Sequence, residues 1–404
     1  MIHPLVGVDD VRAARELLEG IARSTPLEGS RALAEQVGGP VWLKCENLQR
    51  TGSFKIRGAY VRIARLSEHE RSRGVVAASA GNHAQGVALA ASLLGCRATV
   101  FMPEAAPLPK VAATKAYGAE VRLHGATVDE ALAEASAFAE RQGAVLIHPF
   151  DHEDVIAGQG TVGLEILEQC PDVRTVVVCT GGGGLVSGVA AAMKGLKPDV
   201  VVVGAQAAGA AAFPPSLAAG HPVALDSMST MADGIAVGRP GAITFRYVQE
   251  LVDRVVTVDD DAIARALLLS LERAKLVVEP AGAAGFAAVL ERPQDFEPPV
   301  VVVLSGGNID PLLLTKVVRH GLIAAGRFLA VRVRIPDEPG ALAGLLQVLA
   351  GASANVLDVE HQRTGKALHL DEVEVELQLE TRGAEHSEEV LGALREARYT
   401  VFPL

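Results

Sequence analysis

The sequence predicts an α/β protein with two parallel sheets and a smaller antiparallel domain at its C-terminal end. Hydrophobic residues make up 49% of the 404 residues and aromatic residues only 4%, which is typical of chains with many buried aliphatic strands. Short β-branched runs alternate with Ala- and Leu-rich helical stretches over residues 21–324. Beyond residue 326, apolar and charged residues alternate instead, as in a sheet with one face exposed to solvent.

The first group of strands and helices is predicted before residue 150. In order, it contains a strand at 74–79, a helix at 84–94, a strand at 98–102, a helix at 110–117, a strand at 120–123, a helix at 129–142 and a strand at 145–147. Gly143 stands in the position where a helix typically stops. Repeated strand–helix–strand units of this length predict a parallel sheet covered by helices.

The second group of strands is predicted after residue 161. Continuous apolar runs at 173–179, 200–203 and 300–304 are typical of strands that are buried on both faces. Because the two groups are separate along the chain, they predict two sheets with a cleft between them. Ligands of such folds bind outside the carboxyl ends of the strands, which is where the Gly-rich turns of this sequence fall.

The C-terminal segment has a βαββαβ pattern. It contains strands at 329–335, 355–360 and 372–380 and helices at 341–349 and 387–398, which predicts an antiparallel sheet with two helices on one face. From residue 328 onward there are 7 Lys and Arg against 13 Asp and Glu, a net charge of −6 out of −11 for the chain. We therefore expect a main domain at 1–320 with a smaller subdomain inserted at about 50–150, a linker at 321–327 and a separate domain at 328–404.

Composition also excludes several classes of function. A net charge of −11 argues against nucleic acid or an anionic membrane as a partner. The first 16 residues have early acids and no apolar core, and the longer apolar runs are broken, so neither a signal peptide nor a membrane span is expected. The four cysteines form no C-x-x-C pair and are expected to be buried thiols of a reducing cytoplasm.

Lys55 is the strongest candidate for a reactive group. It follows Phe54 and the turn at 51–53 and begins a helical pattern, where a lysine can be removed from water. A desolvated lysine amine would form a Schiff base with the aldehyde of a cofactor. The alternative is that Lys55 is one more surface charge.

A run of four glycines provides a candidate anion site. Gly181, Gly182, Gly183 and Gly184, with Leu185, follow a buried strand and open a helix, so successive backbone N–H groups are free of side-chain obstruction. This arrangement suits a phosphate group, although the same run would also serve as a flexible turn. It lacks the Gly-Lys-Ser/Thr ending of a nucleotide P-loop.

Two further turns follow strands of the predicted sheets. The segment Ser79, Ala80, Gly81, Asn82 and His83 opens a helix, so it would either bind a carboxylate or merely cap that helix. Ser305 follows the last buried strand, where its hydroxyl would either face the cleft or belong to a polar turn.

Considered together, these segments resemble the fold-type II pyridoxal-phosphate enzymes and, among them, the threonine dehydratases (threonine ammonia-lyases). The resemblance covers nearly the whole chain and is carried, in order, by residues 53–59, 79–86, 181–185, 232–237, 279–283 and 305–308. Six motifs in the right order are far more specific than any single one.

The resemblance implies pyridoxal 5'-phosphate as cofactor and a role for each residue. Lys55 would hold the cofactor as a Schiff base, and Phe54 would help to seat its ring. Asn82 would bind the phenolic oxygen of the ring, and Ser305 would face the ring nitrogen. Gly181 to Leu185 would hold the phosphate, and Ser79 to His83 would bind the substrate carboxylate. The implied reaction converts L-threonine to 2-oxobutanoate and ammonia, and L-serine to pyruvate.

Two alternatives within and beyond this family stay open. The first is a serine dehydratase or racemase, but the racemases resembled here have a second serine, their opposite-face base, where this chain has Ala80. They also have an acidic metal ligand where this chain has Gln206, so no metal site is expected. The second and more remote alternative is an amino-acid sensor without catalytic activity.

The C-terminal segment resembles an ACT domain, by its βαββαβ order and by residues 337–342. The resemblance implies edge-to-edge pairing in a homo-oligomer, a dimer or tetramer, and an amino-acid effector bound near Pro339, Gly340, Ala341 and Asn355. An allosteric enzyme of isoleucine biosynthesis would fit this arrangement, whereas a module that serves only dimerisation is the alternative.

Overall fold

A computed structural model describes residues 5–363, 369 and 371–404 of the chain, which form two compact units that divide after Pro311. Residues 1–4 of the predicted main domain and residues 364–368 and 370 of the predicted C-terminal domain lie outside the described residues. The helices and strands of the first unit are α1 (Val8–Leu17), β1 (Leu27–Gly29), α2 (Arg31–Val37), β2 (Val41–Lys44), α3 (Lys55–Ala64), α4 (Glu68–Arg73), β3 (Val75–Ala78), α5 (Asn82–Leu93), β4 (Ala98–Met102), α6 (Leu108–Ala116), β5 (Glu120–Leu123), α7 (Val128–Gln142), β6 (Val145–Leu146), α8 (Glu153–Gln169), β7 (Thr175–Cys179), α9 (Gly184–Leu196), β8 (Val201–Ala207), α10 (Phe213–Ala219), α11 (Ala242–Leu251), β9 (Arg254–Val258), α12 (Asp260–Leu269), α13 (Pro280–Glu291) and β10 (Val300–Val303).

The smaller sheet of the first unit has the strand order β5-β4-β3-β6, and all of its strand pairs are parallel. Successive side chains of β3 point to opposite faces, as strand geometry requires. Val75 and Ala77 pack among apolar residues of α3 and α5, whereas Val76 and Ala78 pack against the alanines of α7. The predicted parallel sheet with helices on its faces is confirmed, with strand bounds that agree to within two residues.

The larger sheet has the strand order β1-β2-β10-β7-β8-β9. Its strands are parallel except for the edge strand β1, which pairs antiparallel with β2. The last strand of the unit is central: Val300 pairs with Val41 of β2 on one side and with Thr175 of β7 on the other. This arrangement brings the carboxyl ends of β7 and β10 side by side. The sequence predicted β7, β8 and β10 and did not predict β1, β2 and β9.

The second unit is an antiparallel sheet with two helices, preceded by a helix at the unit boundary. Its elements are α14 (Pro311–Ala324), β11 (Phe328–Pro336), α15 (Ala341–Gly351), β12 (Asn355–Gln362), β13 (Glu372–Glu380), α16 (Ala384–Glu396) and β14 (Thr400–Pro403). The strand order is β12-β13-β11-β14. Alternate residues of β11 and β13 form one core with leucines of α15 and α16, so both helices cover one face. This confirms the βαββαβ prediction, although residues 321–324 of the predicted linker are helical, in α14.

All four cysteines are buried free thiols, as the sequence predicted. Among the described residues, no helix combines the length and the apolar character that crossing a bilayer would require.

Candidate active site

Lys55 lies at the first position of α3. Its Nζ donates a hydrogen bond of 2.9 Å to the backbone oxygen of Pro149 and lies 5.1 Å from the centre of the Phe54 ring. Burial lowers the pKa of the Lys55 amine to about 8, against weaker opposing contributions from Cys179 and Glu279. About a tenth of this amine is therefore uncharged at pH 7 and able to react as a nucleophile, far more than for an ordinary lysine.

The glycine run forms a turn between β7 and α9. Gly183 has a φ of 98°, a left-handed conformation that favours glycine. A Cβ atom on Gly182 would lie 2.4 Å from the Phe150 ring, and one on Gly184 would lie 2.9 Å from the Cβ of Phe150. The Thr244 hydroxyl fixes the turn by donating 2.6 Å to the backbone oxygen of Gly182. Larger residues are thus excluded from the turn by close packing.

The N–H groups of this turn are available to an anion. Over the ranges that the structure describes, the backbone N–H groups from Gly181 to Leu185 donate to no protein acceptor. They lie at the N-terminal end of α9, where the helix dipole favours negative charge. A phosphate group is the anion that this combination of free N–H donors and excluded side chains suits best.

Asn82 begins α5 and forms hydrogen bonds on both sides of its amide. Its Nδ2 donates 2.5 Å to Oε1 of Glu279, and its Oδ1 accepts 2.7 Å from Nδ2 of Asn308. Glu279 is 6% exposed and precedes α13. Burial, and secondarily Asp233, raises the pKa of Glu279 to about 7. The Glu279 carboxyl is therefore present in both protonation states near neutral pH.

Ser305 is placed next to Lys55 by the end of β10. The backbone oxygen of Ser305 accepts a hydrogen bond of 3.1 Å from the N–H of Phe54. The Ser305 side chain lowers the pKa of the nearby thiol of Cys179, the last residue of β7, but burial has the larger effect. Burial raises the pKa of the Cys179 thiol to about 11, so this neighbour of Ser305 is uncharged.

In the loop before α5, the side chains of Ser79 and His83 already form hydrogen bonds within the protein. The Ser79 hydroxyl accepts from the N–H of Gly81 at 3.1 Å, and the His83 ring donates to the backbone oxygen of Ile147 at 2.8 Å. Burial lowers the pKa of His83 to about 3, so its ring is neutral. An anion at this loop would therefore be bound mainly by backbone N–H groups at the start of α5 rather than by the His83 side chain.

A buried network of charged groups lies beneath α3. The Arg57 guanidinium donates to both Glu46 oxygens at 2.8 Å and to Glu165 Oε1 at 2.6 Å, and Lys44 Nζ donates to Glu165 Oε2 at 2.6 Å. Burial alone would raise the pKa of Glu46, but Arg57 lowers it below its usual range. Two cations and two carboxylates balance in charge and tie α3 to β2 and α8.

The predicted site residues fall into two groups. Lys55, Asn82, Ser305 and the glycine turn belong to the first unit and lie at helix starts or strand ends, whereas the candidate effector residues belong to the second unit. There, Gly340 has a φ of 92° and precedes α15. Asn355 begins β12, and its Nδ2 donates 3.0 Å to Oε2 of Glu380.

Sequence reasoning missed several residues that shape the site. Phe150 packs against two glycines of the turn, Pro149 accepts from Lys55 through its backbone oxygen, and Thr244 holds the turn from α11. A backbone oxygen has no signature in a sequence, and Phe150 stands in a connection without periodicity. The Glu279 motif was noted, but its contact with Asn82 was not foreseen.

Comparisons of the sequence and the structure with known proteins all match pyridoxal-phosphate-dependent enzymes. Residues 18–306 match the family described as "Pyridoxal-phosphate dependent enzyme". The L-threonine ammonia-lyase of Thermotoga maritima is 47% identical over 98% of this chain and 99% of its own length. The L-threonine ammonia-lyase of Geobacter sulfurreducens is also 47% identical, over 97% and 98%. Among solved structures, the processed form of threonine deaminase isoform 2 from Solanum lycopersicum superposes with a TM-score of 0.76 at 37% identity, covering 80% of this chain and 92% of that one.

Proposed function

Because the chain belongs to the family of pyridoxal-phosphate-dependent enzymes, we propose that its site works as that of an L-threonine ammonia-lyase. The net reaction converts L-threonine to 2-oxobutanoate and ammonia: the hydroxyl leaves as water, and a water molecule later releases the ammonia. L-serine would give pyruvate in the same way. The observation that carries the proposal is that a reactive lysine and an anion-binding turn meet at one segment: Lys55 Nζ donates to the backbone oxygen of Pro149, and the glycine turn packs against Phe150.

The residues of the site fit the cofactor. The N–H groups from Gly181 to Leu185 would hold the phosphate, Lys55 would attach the aldehyde, and Phe54 would support the ring. Asn82 would donate to the phenolic oxygen, and Ser305 would face the ring nitrogen. When bound, the cofactor supplies the electron sink that stabilises negative charge at the substrate α-carbon.

Lys55 is the base that we assign to the α-carbon. Besides holding the cofactor, the Lys55 amine would accept the α-proton of the substrate. A pKa of about 8 makes this amine a competent base near neutral pH. Backbone N–H groups in the loop from Ser79 to His83 would orient the substrate by binding its carboxylate.

Ser305 favours elimination over transamination. Neither its hydroxyl nor the neighbouring Cys179 thiol carries a charge, so nothing in this pair stabilises a proton on the ring nitrogen. Negative charge would then stay closer to the α-carbon, which would favour loss of the β-hydroxyl. Ala80 offers no second base on the opposite face, which supports elimination rather than racemisation.

A steady-state assay tests this function. Purified protein with pyridoxal 5'-phosphate should release 2-oxobutanoate from L-threonine with a kcat/KM higher than that for pyruvate from L-serine. The same reactions are analysed by chiral chromatography, and D-serine should be absent. D-serine as the main product would favour the racemase alternative, and no keto acid from either amino acid would favour a sensor.

We also propose that the second unit is an ACT-like regulatory domain that binds an amino-acid effector. The antiparallel βαββαβ sheet and the left-handed turn at Gly340 before α15 support this assignment. Pro339, Gly340 and Ala341 would supply backbone groups, and Asn355 would supply an amide. Control by an amino acid suits a homo-oligomeric cytoplasmic enzyme of isoleucine biosynthesis, in which an end product limits the supply of 2-oxobutanoate.

Removal of the C-terminal sheet tests the regulatory proposal. A chain that ends at Arg327 should retain turnover within about threefold and lose its response to isoleucine and valine. The replacement Asn355→Leu in the full chain is the matched point variant, and it should raise the half-saturating effector concentration about tenfold, the value of one hydrogen bond. An unchanged effector response in the truncated chain would assign regulation to the first unit instead.

A further inference from the structure

A line of hydrogen-bonded amides leads from a backbone carbonyl to Glu279. Nδ2 of Asn308 donates 2.6 Å to the backbone oxygen of Thr51 and 2.7 Å to Oδ1 of Asn82. Nδ2 of Asn82 then donates 2.5 Å to Oε1 of Glu279. Three segments that are distant in sequence therefore meet at the Asn82 side chain.

The direction of this line is fixed at its first member. A backbone carbonyl only accepts hydrogen bonds, so the group of Asn308 that faces Thr51 must be the NH₂ group. Both hydrogens of that group are then engaged, one by Thr51 and one by Asn82. Asn82 must present its oxygen to Asn308, and its own NH₂ group is turned away. The two possible orientations of the Asn82 amide are thereby reduced to one.

Two glycines make room for these side chains. A Cβ atom on Gly52 would lie 2.3 Å from Oδ1 of Asn308, and one on Gly306 would lie 2.2 Å from Oε1 of Glu279. Thr51 has a φ of 63°, which is uncommon for a residue other than glycine and is a form of strain found at functional sites. The strained turn is held by the N–H of Gly307, which donates 2.9 Å to the oxygen of Gly52.

We propose that Asn308 is a positioning residue that sets the amide orientation of Asn82, so that the second N–H of Asn82 Nδ2 faces the phenolic oxygen of the cofactor. This inference rests on the proposed function, because it requires pyridoxal 5'-phosphate at the site. One N–H of that group is used by Glu279, and the other is the donor that remains. In the opposite orientation the Asn82 oxygen would face the phenolic oxygen, and two acceptors would repel each other.

The consequence concerns the electronic state of the cofactor. A hydrogen bond that is donated to the phenolic oxygen favours its ionised form. Loss of that bond should change the absorbance band of the bound cofactor and its dependence on pH, and should weaken cofactor binding. A residue with a purely structural role would lower the stability of the protein without moving that band.

The replacement Asn308→Asp tests the proposal with little change in size. A carboxylate at this position cannot donate to Thr51 or to Asn82, so the Asn82 amide loses the donor that fixes its orientation. We expect a displaced cofactor band in spectra recorded from pH 6 to 9. We also expect a rise of about 10- to 100-fold in the dissociation constant of pyridoxal 5'-phosphate, the range for a hydrogen bond to a charged group.

Asn47→Asp is the matched control. Asn47 is 7% exposed and donates 3.0 Å to the backbone oxygen of Val277, so the same amide is lost nearby without contact to Asn82. Its cofactor band should stay unchanged, and its dissociation constant should stay within about twofold. If the spectra and affinities of the two variants match that of the unchanged protein, the positioning role of Asn308 is wrong.

The spectrum of the unchanged protein and a second variant of Asn308 complete the experiment. Absence of any cofactor band in the unchanged protein would overturn the proposed function itself rather than the role of Asn308. If circular dichroism shows that Asn308→Asp does not fold, Asn308→Ser replaces it, because a hydroxyl has one donor and cannot serve both Thr51 and Asn82. The serine variant should displace the band in the same direction by a smaller amount, and an undisplaced band would again overturn the inference.

Discussion

Replacement of Lys55 by alanine should abolish both ammonia release from L-threonine and the absorbance band of the bound cofactor. Lys55 is proposed to attach the cofactor and then to accept the α-proton, so the variant loses two functions with one amine. Loss of a positioned base alone lowers turnover by about 10²- to 10⁴-fold, and loss of cofactor attachment lowers turnover further. Turnover is measured by keto-acid formation, and cofactor attachment by absorbance after gel filtration.

Lys197→Ala is the matched control for this variant. Like Lys55, Lys197 donates from Nζ to the backbone oxygen of a proline, at 2.7 Å to Pro171, but it follows the end of α9 that is opposite the glycine turn. The control should be as active as the unchanged protein. In the unchanged protein, cofactor attachment should slow about tenfold for each pH unit below 8, because the amine must be uncharged to react. Full turnover in Lys55→Ala would refute the mechanism.

Replacement of Arg57 by leucine should cause the largest loss of stability. The Arg57 side chain is 1% exposed and donates to Glu46 and Glu165, and without it Glu46 would lose its ion pair while Glu165 would keep its pair with Lys44. Removing one partner from a buried ion network costs about 3–5 kcal/mol, since a buried charge is left uncompensated. The free energy of unfolding is measured by urea titration of the protein without cofactor.

Arg31→Leu provides the comparison for Arg57→Leu. Arg31 also pairs with a glutamate, Glu35 at 2.8 Å, but both side chains are largely exposed, at 92% and 64%. An exposed pair of this kind contributes about 0–1 kcal/mol, so this variant should unfold near the urea concentration of the unchanged protein. Equal urea midpoints for the two variants would mean that the buried network contributes no more than a surface pair.

The parts of the fold that the sequence predicts are those with a clear hydrophobic pattern. β3 and β10 are buried on both faces and consist of small and β-branched residues, so composition alone identifies them. β2 was missed because its last residue is Lys44, a charge that normally indicates a surface. Its burial depends on Glu165, more than a hundred residues further along the chain. Pairing over that distance is a property of the tertiary structure and leaves no local pattern.

The same reasoning explains which parts of the site were predicted. Lys55, Asn82, Ser305 and the glycines stand directly at strand ends or helix starts, and their positions follow from the order of elements. Asn308 was noted only as the end of a motif, because its role depends on the direction of hydrogen bonds to Thr51 and Asn82. Such directions are set by three-dimensional contacts that no spacing of residues records.

The central position of β10 has a consequence for the order in which the protein assembles. Strands β3 to β6 lie close together in sequence, so the smaller sheet can form while the rest of the chain is still being synthesised. The larger sheet cannot close in this way, because β2 and β7 both require β10, which leaves the ribosome last among its strands. Until then, β2 and β7 present unpaired edges that are prone to aggregation. Ser305 lies just after β10, so the candidate site is completed only when this late strand is inserted.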